Sequence, residues 1–82
     1  KFDLVSPDGS IVGEVKAYRL RKDGSVPYGK ISGATDACLY LIHAEGAKRR
    51  LLVLTNKGFY EKFKRTRQAK MVSGQVEILY RV

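Results

Sequence analysis

Residues that bind soft metals or form covalent cross-links are almost absent from this sequence. The chain has one cysteine, Cys38, and one histidine, His43, among its 82 residues. A lone cysteine forms no internal disulfide, and one cysteine with one histidine does not supply the four ligands of a structural zinc site. The sequence therefore excludes a disulfide-stapled domain and a zinc domain. A single thiol fits a reducing, intracellular (cytoplasmic) setting best.

Long hydrophobic runs and acidic residues are also scarce. No segment approaches the roughly 20 apolar residues that a membrane-spanning helix needs, and no signal-peptide pattern is visible, so we expect no insertion into membranes. Lys and Arg number 16 against 8 Asp and Glu, which gives a formal net charge of +8. This balance favours a polyanionic partner, such as DNA, RNA or an anionic membrane surface.

The length and hydrophobic content predict one small folded domain over residues 1–82. A hydrophobic fraction of 44% is ordinary for a globular chain and argues against disorder. A core of this size supplies little spare stability, so a second copy or a further segment is expected to help complete it. The chain begins with Lys1 rather than Met, and we interpret it as a fragment or truncated core of a longer protein.

The first third of the chain predicts a β-hairpin and a basic loop. Residues 2–5 and 11–18 have strand-like composition, and Ser6–Ser10 between them contains the Pro and Gly typical of a turn. Residues 19–32 are rich in Gly, Lys and Arg and are predicted to form a loop. A short edge strand around residues 26–28 is the alternative, because proline is tolerated only at a sheet edge.

A helix is predicted over residues 34–45. Ser32 is the expected N-cap, and Gly46 is well placed to end the helix. The apolar residues at helical spacing form a stripe that is expected to face the core: Ala34, Ala37, Cys38, Leu41 and Ile42.

The second half predicts a strand, a helix and a final strand. Residues 51–55 form an unbroken apolar run, which is typical of a parallel strand buried on both faces. Asn56 is the expected cap of a helix over residues 57–70, with Phe59 and Phe63 facing inward. Residues 75–82 alternate as a strand does. The predicted order is therefore β-β-α-β-α-β, an α/β fold with a mixed sheet flanked by helices.

Acidic and basic side chains come together near the start of this pattern. Glu14 and Lys16 point to the same face of their strand, and Val15 points to the other. Asp3 reaches the Glu14 face if residues 1–5 pair with residues 11–18. Two converging carboxylates suit a hard divalent cation such as Mg²⁺, and a neighbouring lysine can orient water or neutralise charge on a phosphate.

Asp3 in Phe-Asp-Leu-Val, the turn Ser-Pro-Asp-Gly-Ser and the tripeptide Glu14-Val15-Lys16 together resemble the motif of the PD-(D/E)xK nuclease superfamily. The local sequence is most similar to the Holliday-junction-resolvase and restriction-enzyme branches, and the downstream α-β-α-β order follows the family. The resemblance implies a restriction-endonuclease-like fold. The family core normally starts with a helix before the first strand, and this N-terminal core helix is missing from the chain.

The resemblance also implies a chemistry. Asp3 and Glu14 would bind Mg²⁺ or Mn²⁺, with the Val15 carbonyl as a third oxygen ligand, and Lys16 would position the attacking water. The expected activity is metal-dependent endonuclease cleavage of DNA, by a homodimer or by one domain of a multidomain parent protein. The competing interpretation makes Glu14 and Lys16 solvated cross-strand pairs, each worth about 0.2–1 kcal/mol, with Asp3 as a turn residue.

Basic residues in two regions are candidates for nucleic-acid binding. The first group follows the acidic motif and is expected to lie near a scissile phosphate: Arg19, Arg21, Lys22 and Lys30. The second group lies on the charged face of the second helix: Lys62, Lys64 and Arg65, continued by Arg67 and Lys70. Tyr18 and Tyr28 either stack on bases or bond phosphates, or they pack within the protein. The alternative functions are a non-catalytic nucleic-acid-binding module that retains the fold, and a small protein-interaction domain.

Overall fold

Four strands form one mixed sheet in the computed structural model, which describes residues 1–82. They are β1 (Leu4–Val5), β2 (Ile11–Lys16), β3 (Arg49–Leu54) and β4 (Glu77–Tyr80). The strands lie in chain order, with β1 antiparallel to β2, and with β2, β3 and β4 mutually parallel. This arrangement confirms the predicted hairpin and the parallel strands after it, although β1, β2 and β4 are shorter than predicted.

Three helices connect the parallel strands. Helix α1 (Tyr28–Ile42) joins β2 to β3, and α2 (Lys57–Phe63) and α3 (Arg67–Val72) together join β3 to β4. The chain is therefore an α/β domain with the element order β-β-α-β-α-α-β, one helix more than predicted. None of these helices combines the length and hydrophobicity that crossing a bilayer requires.

The turn between β1 and β2 is built around one carboxylate. Asp8 accepts hydrogen bonds from the Ser10 amide at 3.0 Å and from the hydroxyl groups of Ser6 and Ser10 at 2.9 and 2.8 Å. Gly9 has φ 75°, a left-handed conformation that glycine adopts without a steric penalty. The turn therefore fixes the hairpin register that brings the start of the chain to β2.

We expect the Asp8 carboxyl to titrate far below a normal aspartate. Its hydrogen bonds to Ser10 and Ser6 lower the pKa of Asp8 from 3.8 to about 2. Because these bonds form only in the folded state, Asp8 contributes stability above its ordinary pKa, and this contribution is lost as the pH falls toward 2. An NMR titration of the carboxyl carbon should give a midpoint near the lower value. A midpoint at the ordinary value would contradict the hydrogen-bonded turn.

Helix α1 begins earlier than the sequence predicts. Pro27 is its N-cap residue, with φ −63° and ψ 124°, and the helix starts at Tyr28. The predicted cap at Ser32 and the alternative edge strand around residues 26–28 are therefore wrong. Proline presets the dihedral angle of a helix entry, and tertiary contacts of Ile31 and Gly33 stabilise a first turn whose own helix propensity is low.

The C-terminal end of α1 is held by a side chain from β3. The helix ends at Ile42, three residues before its predicted end. Arg50 donates hydrogen bonds to the carbonyl oxygens of Leu41 and Ala44, both at 2.8 Å. Gly46 follows with φ 81°. Arg50 thus satisfies carbonyl groups that a helix end leaves without partners, and the chain turns into β3.

The prediction of a single second helix is wrong, because the helix is interrupted before Thr66 and a new helix begins after it. Thr66 is extended, and its hydroxyl accepts the Ala69 amide hydrogen at 3.2 Å, as an N-cap residue does. A continuous helix would turn Lys70, seven residues after the buried Phe63, toward the core. The break changes the phase of the helix, so that Ala69 and Val72 are buried instead.

Only one face of the sheet is covered by helices. Leu52 and Leu54 of β3 are buried beneath the helices, whereas Leu51 and Val53 on the opposite face are half-buried. The prediction that this strand is buried on both faces is therefore wrong. Both crossovers run between neighbouring parallel strands in the same direction, and crossovers of the same hand place their helices on the same side.

The hydrophobic core lies between the sheet and the three helices. The predicted α1 stripe is confirmed at four buried positions: Ala34, Ala37, Cys38 and Leu41. Phe59 and Phe63 are buried, as predicted. Burial raises the pKa of the Cys38 thiol to about 11, which leaves a packed and unreactive side chain.

Candidate active site

The acidic and basic residues of the predicted motif lie at the C-terminal end of β2. Glu14 pairs with Leu52 and Lys16 pairs with Leu54 in the parallel β2–β3 register, so both side chains share the helix-covered face. Each is only partly exposed. In open α/β sheets, ligands bind beyond the carboxyl ends of the parallel strands. The fold thus carries these side chains to the edge where a binding site is expected.

Asp3 is joined to β2 by two reciprocal hydrogen bonds. Its carboxylate oxygen Oδ2 accepts the Val15 amide hydrogen at 2.8 Å, and its own amide donates to Glu14 Oε2 at 3.2 Å. The antiparallel hairpin makes this possible, because the start of β1 lies beside the end of β2. The residues that carry the two predicted metal-binding carboxylates, Asp3 and Glu14, are therefore in contact although they are eleven residues apart in the chain.

The main chain of Val15 faces the same edge as Asp3. The Lys16 carbonyl accepts the Thr55 amide hydrogen on the β3 side. Successive residues of a strand direct their peptide groups to opposite sides, so the Val15 N–H and C=O both point toward β1 and Asp3. The oxygen atoms Asp3 Oδ1 and Glu14 Oε1 accept no hydrogen bond from the protein. Asp3, Glu14 and the main chain of Val15 thus meet at one edge of the sheet.

Carboxylate and carbonyl oxygens are the type of ligand that hard divalent cations take. No group of three or more His, Cys, Asp or Glu side chains is arranged to hold a metal ion in the structure. Mg²⁺ is commonly held by one or two carboxylates and retains several of its waters, with substrate phosphates completing its octahedral shell. Two carboxylates and a carbonyl oxygen meet that requirement, whereas a zinc or calcium site needs more ligands from the protein.

Lys16 is not engaged in an ion pair. The structure has one salt bridge, between Arg49 and Glu77 at 2.8 Å, and the Glu14 and Lys16 side chains do not approach within 4.0 Å of an oppositely charged group. The Lys16 ammonium lies instead 5.9 Å from the centre of the Tyr18 ring. Neither side chain therefore forms a salt bridge, either with the other or across the strands.

The basic loop after β2 has a defined course. Leu20 packs against the start of α2, where its Cδ1 atom would lie 2.9 Å from a Cβ added at Gly58. Arg21 is turned into its own loop, with Nη1 3.3 Å from Ser25 Oγ. Arg19 and Lys22 are exposed. The loop thus leaves two of its predicted DNA-binding residues free in solvent and ties the third to the Ser25 turn.

Lys30 lies in the first turn of α1, and its side chain approaches Tyr18. Its ammonium lies 5.1 Å from the centre of the same Tyr18 ring that Lys16 approaches. The sequence placed Lys30 among the basic residues expected near a scissile phosphate, but it did not indicate that one ring, Tyr18, contacts both Lys30 and Lys16. The available signal was the spacing Lys16-x-Tyr18, which places both side chains on one face of an extended segment.

The basic residues of the second group do not form one helical face. Lys62 lies on α2, Lys64 is its C-cap residue, and Arg65 lies in the link to α3. All three are exposed. Tyr60 of α2 packs against Tyr80 at the carboxyl end of β4, with 5.9 Å between ring centres. The Lys64 ammonium lies 4.7 Å from the Tyr60 ring centre.

Comparison of the chain with protein-family models, with curated proteins and with solved structures gives no match.

Proposed function

We propose that this chain is a restriction-endonuclease-like domain that hydrolyses phosphodiester bonds in DNA with the help of Mg²⁺ or Mn²⁺. The observation that carries the proposal is the reciprocal bonding of Asp3 to Glu14 and Val15, which gathers two carboxylates and a carbonyl beside Lys16. An unpaired lysine next to paired acidic groups is the charge arrangement that metal-assisted phosphodiester hydrolysis needs.

Each residue of the site has a distinct task in this proposal. Asp3 and Glu14 hold the cation through their free carboxylate oxygens, and the Val15 carbonyl adds a neutral ligand. A bound divalent cation lowers the pKa of its water and stabilises charge on the phosphate. Lys16 positions that water and offsets the negative charge that develops on the phosphate oxygens in the transition state.

The surface charge supports DNA as the substrate. A net charge of +8 attracts a polyanion, and the exposed Arg19 and Lys22 lie on the loop that directly follows the site. Arg21 contributes positive charge from the same loop, and Lys30 from α1. Contacts of this kind bind the phosphate backbone without reading its sequence, and the resulting affinity falls steeply as salt is added.

Nicking of supercoiled plasmid tests the proposal. The chain should convert supercoiled to open-circular DNA in Mg²⁺ or Mn²⁺ and should be inactive in EDTA. Lys16→Ala should lower the nicking rate at least about tenfold, because a positioned proton-transfer or charge-stabilising group typically contributes this much or more. The matched control is Lys48→Ala, an exposed lysine before β3 at the opposite end of the sheet, which should nick at the unaltered rate.

The second candidate is a binding module without catalysis. It is favoured by the fact that the Asp3 and Glu14 carboxylates already bond to the protein backbone and so have a structural use. A chain that never nicks plasmid, yet retards DNA in a gel in a salt-sensitive way with Lys16→Ala behaving alike, would establish this function in place of cleavage. Equal nicking rates for the chain and for Lys16→Ala would show that Lys16 has no role in cleavage.

A further inference from the structure

Two lysines approach the ring of Tyr18, which is held in a fixed position. The ammonium groups of Lys16 and Lys30 lie 5.9 and 5.1 Å from its centre. The ring packs edge-on against Phe59, with 5.6 Å between ring centres and an interplanar angle of 73°. Phe59 is fully buried and does not move aside easily. Tyr18 therefore joins the strand that carries Lys16 to the helix that carries Lys30.

Helix α1 has a gap that receives the Tyr18 hydroxyl. A Cβ atom added at Gly33 would lie 2.6 Å from Tyr18 Oη and 3.2 Å from Cζ, so only glycine leaves room for the ring in this position. Glycine is costly inside a helix by roughly 1 kcal/mol relative to alanine. The close contact with the ring gives a physical reason for Gly33 in the middle of α1.

We propose that Tyr18 is a positioning residue that holds Lys16 and Lys30 as a clamp on the phosphates of a nucleic-acid backbone. Cations are attracted to the face of an aromatic ring, so the ring restrains two otherwise flexible side chains. Neither lysine forms a salt bridge, and both ammonium groups lie over one ring, 5.9 and 5.1 Å from its centre. Two such cations favour a polyanion, because the phosphate oxygens of a nucleic-acid backbone accept charge-assisted hydrogen bonds from lysine.

The assignment of the bound phosphates to a DNA substrate rests on the proposed function. Lys16 stands two residues after Glu14 on the same face of β2, so a phosphate bound by the clamp lies next to the proposed metal ligands. Lys30 then becomes part of the substrate site itself, rather than one of several basic residues spread over the surface. Tyr18 acts only through the two lysines.

Binding of a fluorescently labelled DNA oligonucleotide, measured by anisotropy in EDTA so that no cleavage occurs, tests the clamp. Lys30→Ala and Tyr18→Leu should each weaken binding about three- to fivefold, as expected for a cation–π-supported phosphate contact. Tyr18→Phe keeps the ring and should bind within twofold of the unaltered chain. The matched control is Tyr28→Leu, because Tyr28 is 73% exposed and no lysine lies over its ring.

A double-mutant cycle separates positioning from a general structural role. If Tyr18 acts through the lysines, Tyr18→Leu should have a smaller effect in the Lys30→Ala background than in the unaltered chain. The slope of log affinity against log salt should also decrease by about one for Lys30→Ala, as for one lost phosphate contact. Additive effects of the two substitutions, or unaltered binding by Tyr18→Leu, would overturn the proposal.

A second pair of variants covers the case in which Tyr18→Leu does not fold. Gly33→Ala should displace the ring and weaken binding about three- to fivefold, although alanine favours the helix. Adding Tyr18→Phe removes the hydroxyl that meets the new methyl group, so the double variant should recover most of the affinity. Gly29→Ala, in the same helix with nothing within 4 Å of its added Cβ, is the control that should bind normally.

Different experimental outcomes refute the proposed clamp and the proposed nuclease activity. A chain that does not nick plasmid but shows coupling between Tyr18 and Lys30 in DNA binding refutes the nuclease and retains the clamp. A chain that nicks plasmid but shows additive substitutions retains the nuclease and refutes the clamp. Competition by free inorganic phosphate at the concentration of the oligonucleotide's phosphates would show that the site binds free phosphate rather than a backbone, and would overturn the assignment to nucleic acid.

Discussion

Replacement of Glu14 by glutamine is expected to lower the rate of metal-dependent plasmid nicking at least about 100-fold. A bound metal ion contributes several kcal/mol of charge stabilisation in the transition state, and each 1.36 kcal/mol corresponds to a factor of ten in rate. Glutamine has the shape of glutamate and keeps an oxygen that can accept the Asp3 amide hydrogen. The substitution therefore removes the negative charge and leaves the backbone contact in place.

The affinity of each variant for the metal ion should be measured together with its nicking rate. A calorimetric titration with Mn²⁺ should show that the ion binds more weakly to Glu14→Gln than to the unaltered chain. Glu45→Gln is the matched control, because Glu45 is exposed in the connection between α1 and β3, at the other end of the sheet. Nicking by Glu14→Gln at the rate of Glu45→Gln would refute the role of Glu14 as a metal ligand.

Replacement of Phe59 by alanine is expected to destabilise the fold by about 3–5 kcal/mol, the usual loss for a buried aromatic residue. Phe59 is fully buried, stacks on Phe63 at 5.8 Å and meets the Tyr18 ring edge-on. Total stabilities of domains are about 5–15 kcal/mol, and small domains bury a smaller fraction of their surface. The variant should therefore be unfolded in a large part of the population.

Urea unfolding followed by circular dichroism measures this loss. Met71→Ala is the control, because Met71 also lies on a helix but is 75% exposed, and its replacement should change the free energy of unfolding by no more than about 0.5 kcal/mol. Equal midpoints for the two variants would contradict the position of Phe59 in the core. Because Phe59 supports Tyr18, its loss should also weaken DNA binding wherever the variant remains folded.

Local signals in the sequence were sufficient to predict several structural features. The Pro- and Gly-containing turn before β2 predicted the hairpin, since a tight turn joins antiparallel strands. Asn56 was identified as a cap, and its Oδ1 accepts the Phe59 amide hydrogen at 2.9 Å. Alternation placed Glu14 and Lys16 on one face, and the hairpin brought Asp3 to Glu14. These features depend on interactions between residues that are close in the chain or joined by one turn.

Helix boundaries and strand burial depended on contacts between distant residues. Gly29, Ser32 and Gly33 give the start of α1 a loop-like composition, and its packing on Tyr18 makes it helical. The break at Thr66 decides whether Lys70 or Ala69 faces the core, which a local pattern of basic residues does not show. Similarly, the apolar run of β3 did not show that one face of the sheet is uncovered.

The sequence by itself determined the α/β class, the positive charge and the acidic pair with its neighbouring lysine, because composition and strand periodicity express these directly. Only the tertiary structure decided which cations accompany that pair. It brought Lys30 to Tyr18, fourteen positions from Lys16 along the chain, and it divided Lys62, Lys64 and Arg65 between α2, its C-cap and the link to α3. The reason is that a crossover helix sets distances between residues through its packing on the sheet, and that packing depends on buried surfaces rather than on local sequence.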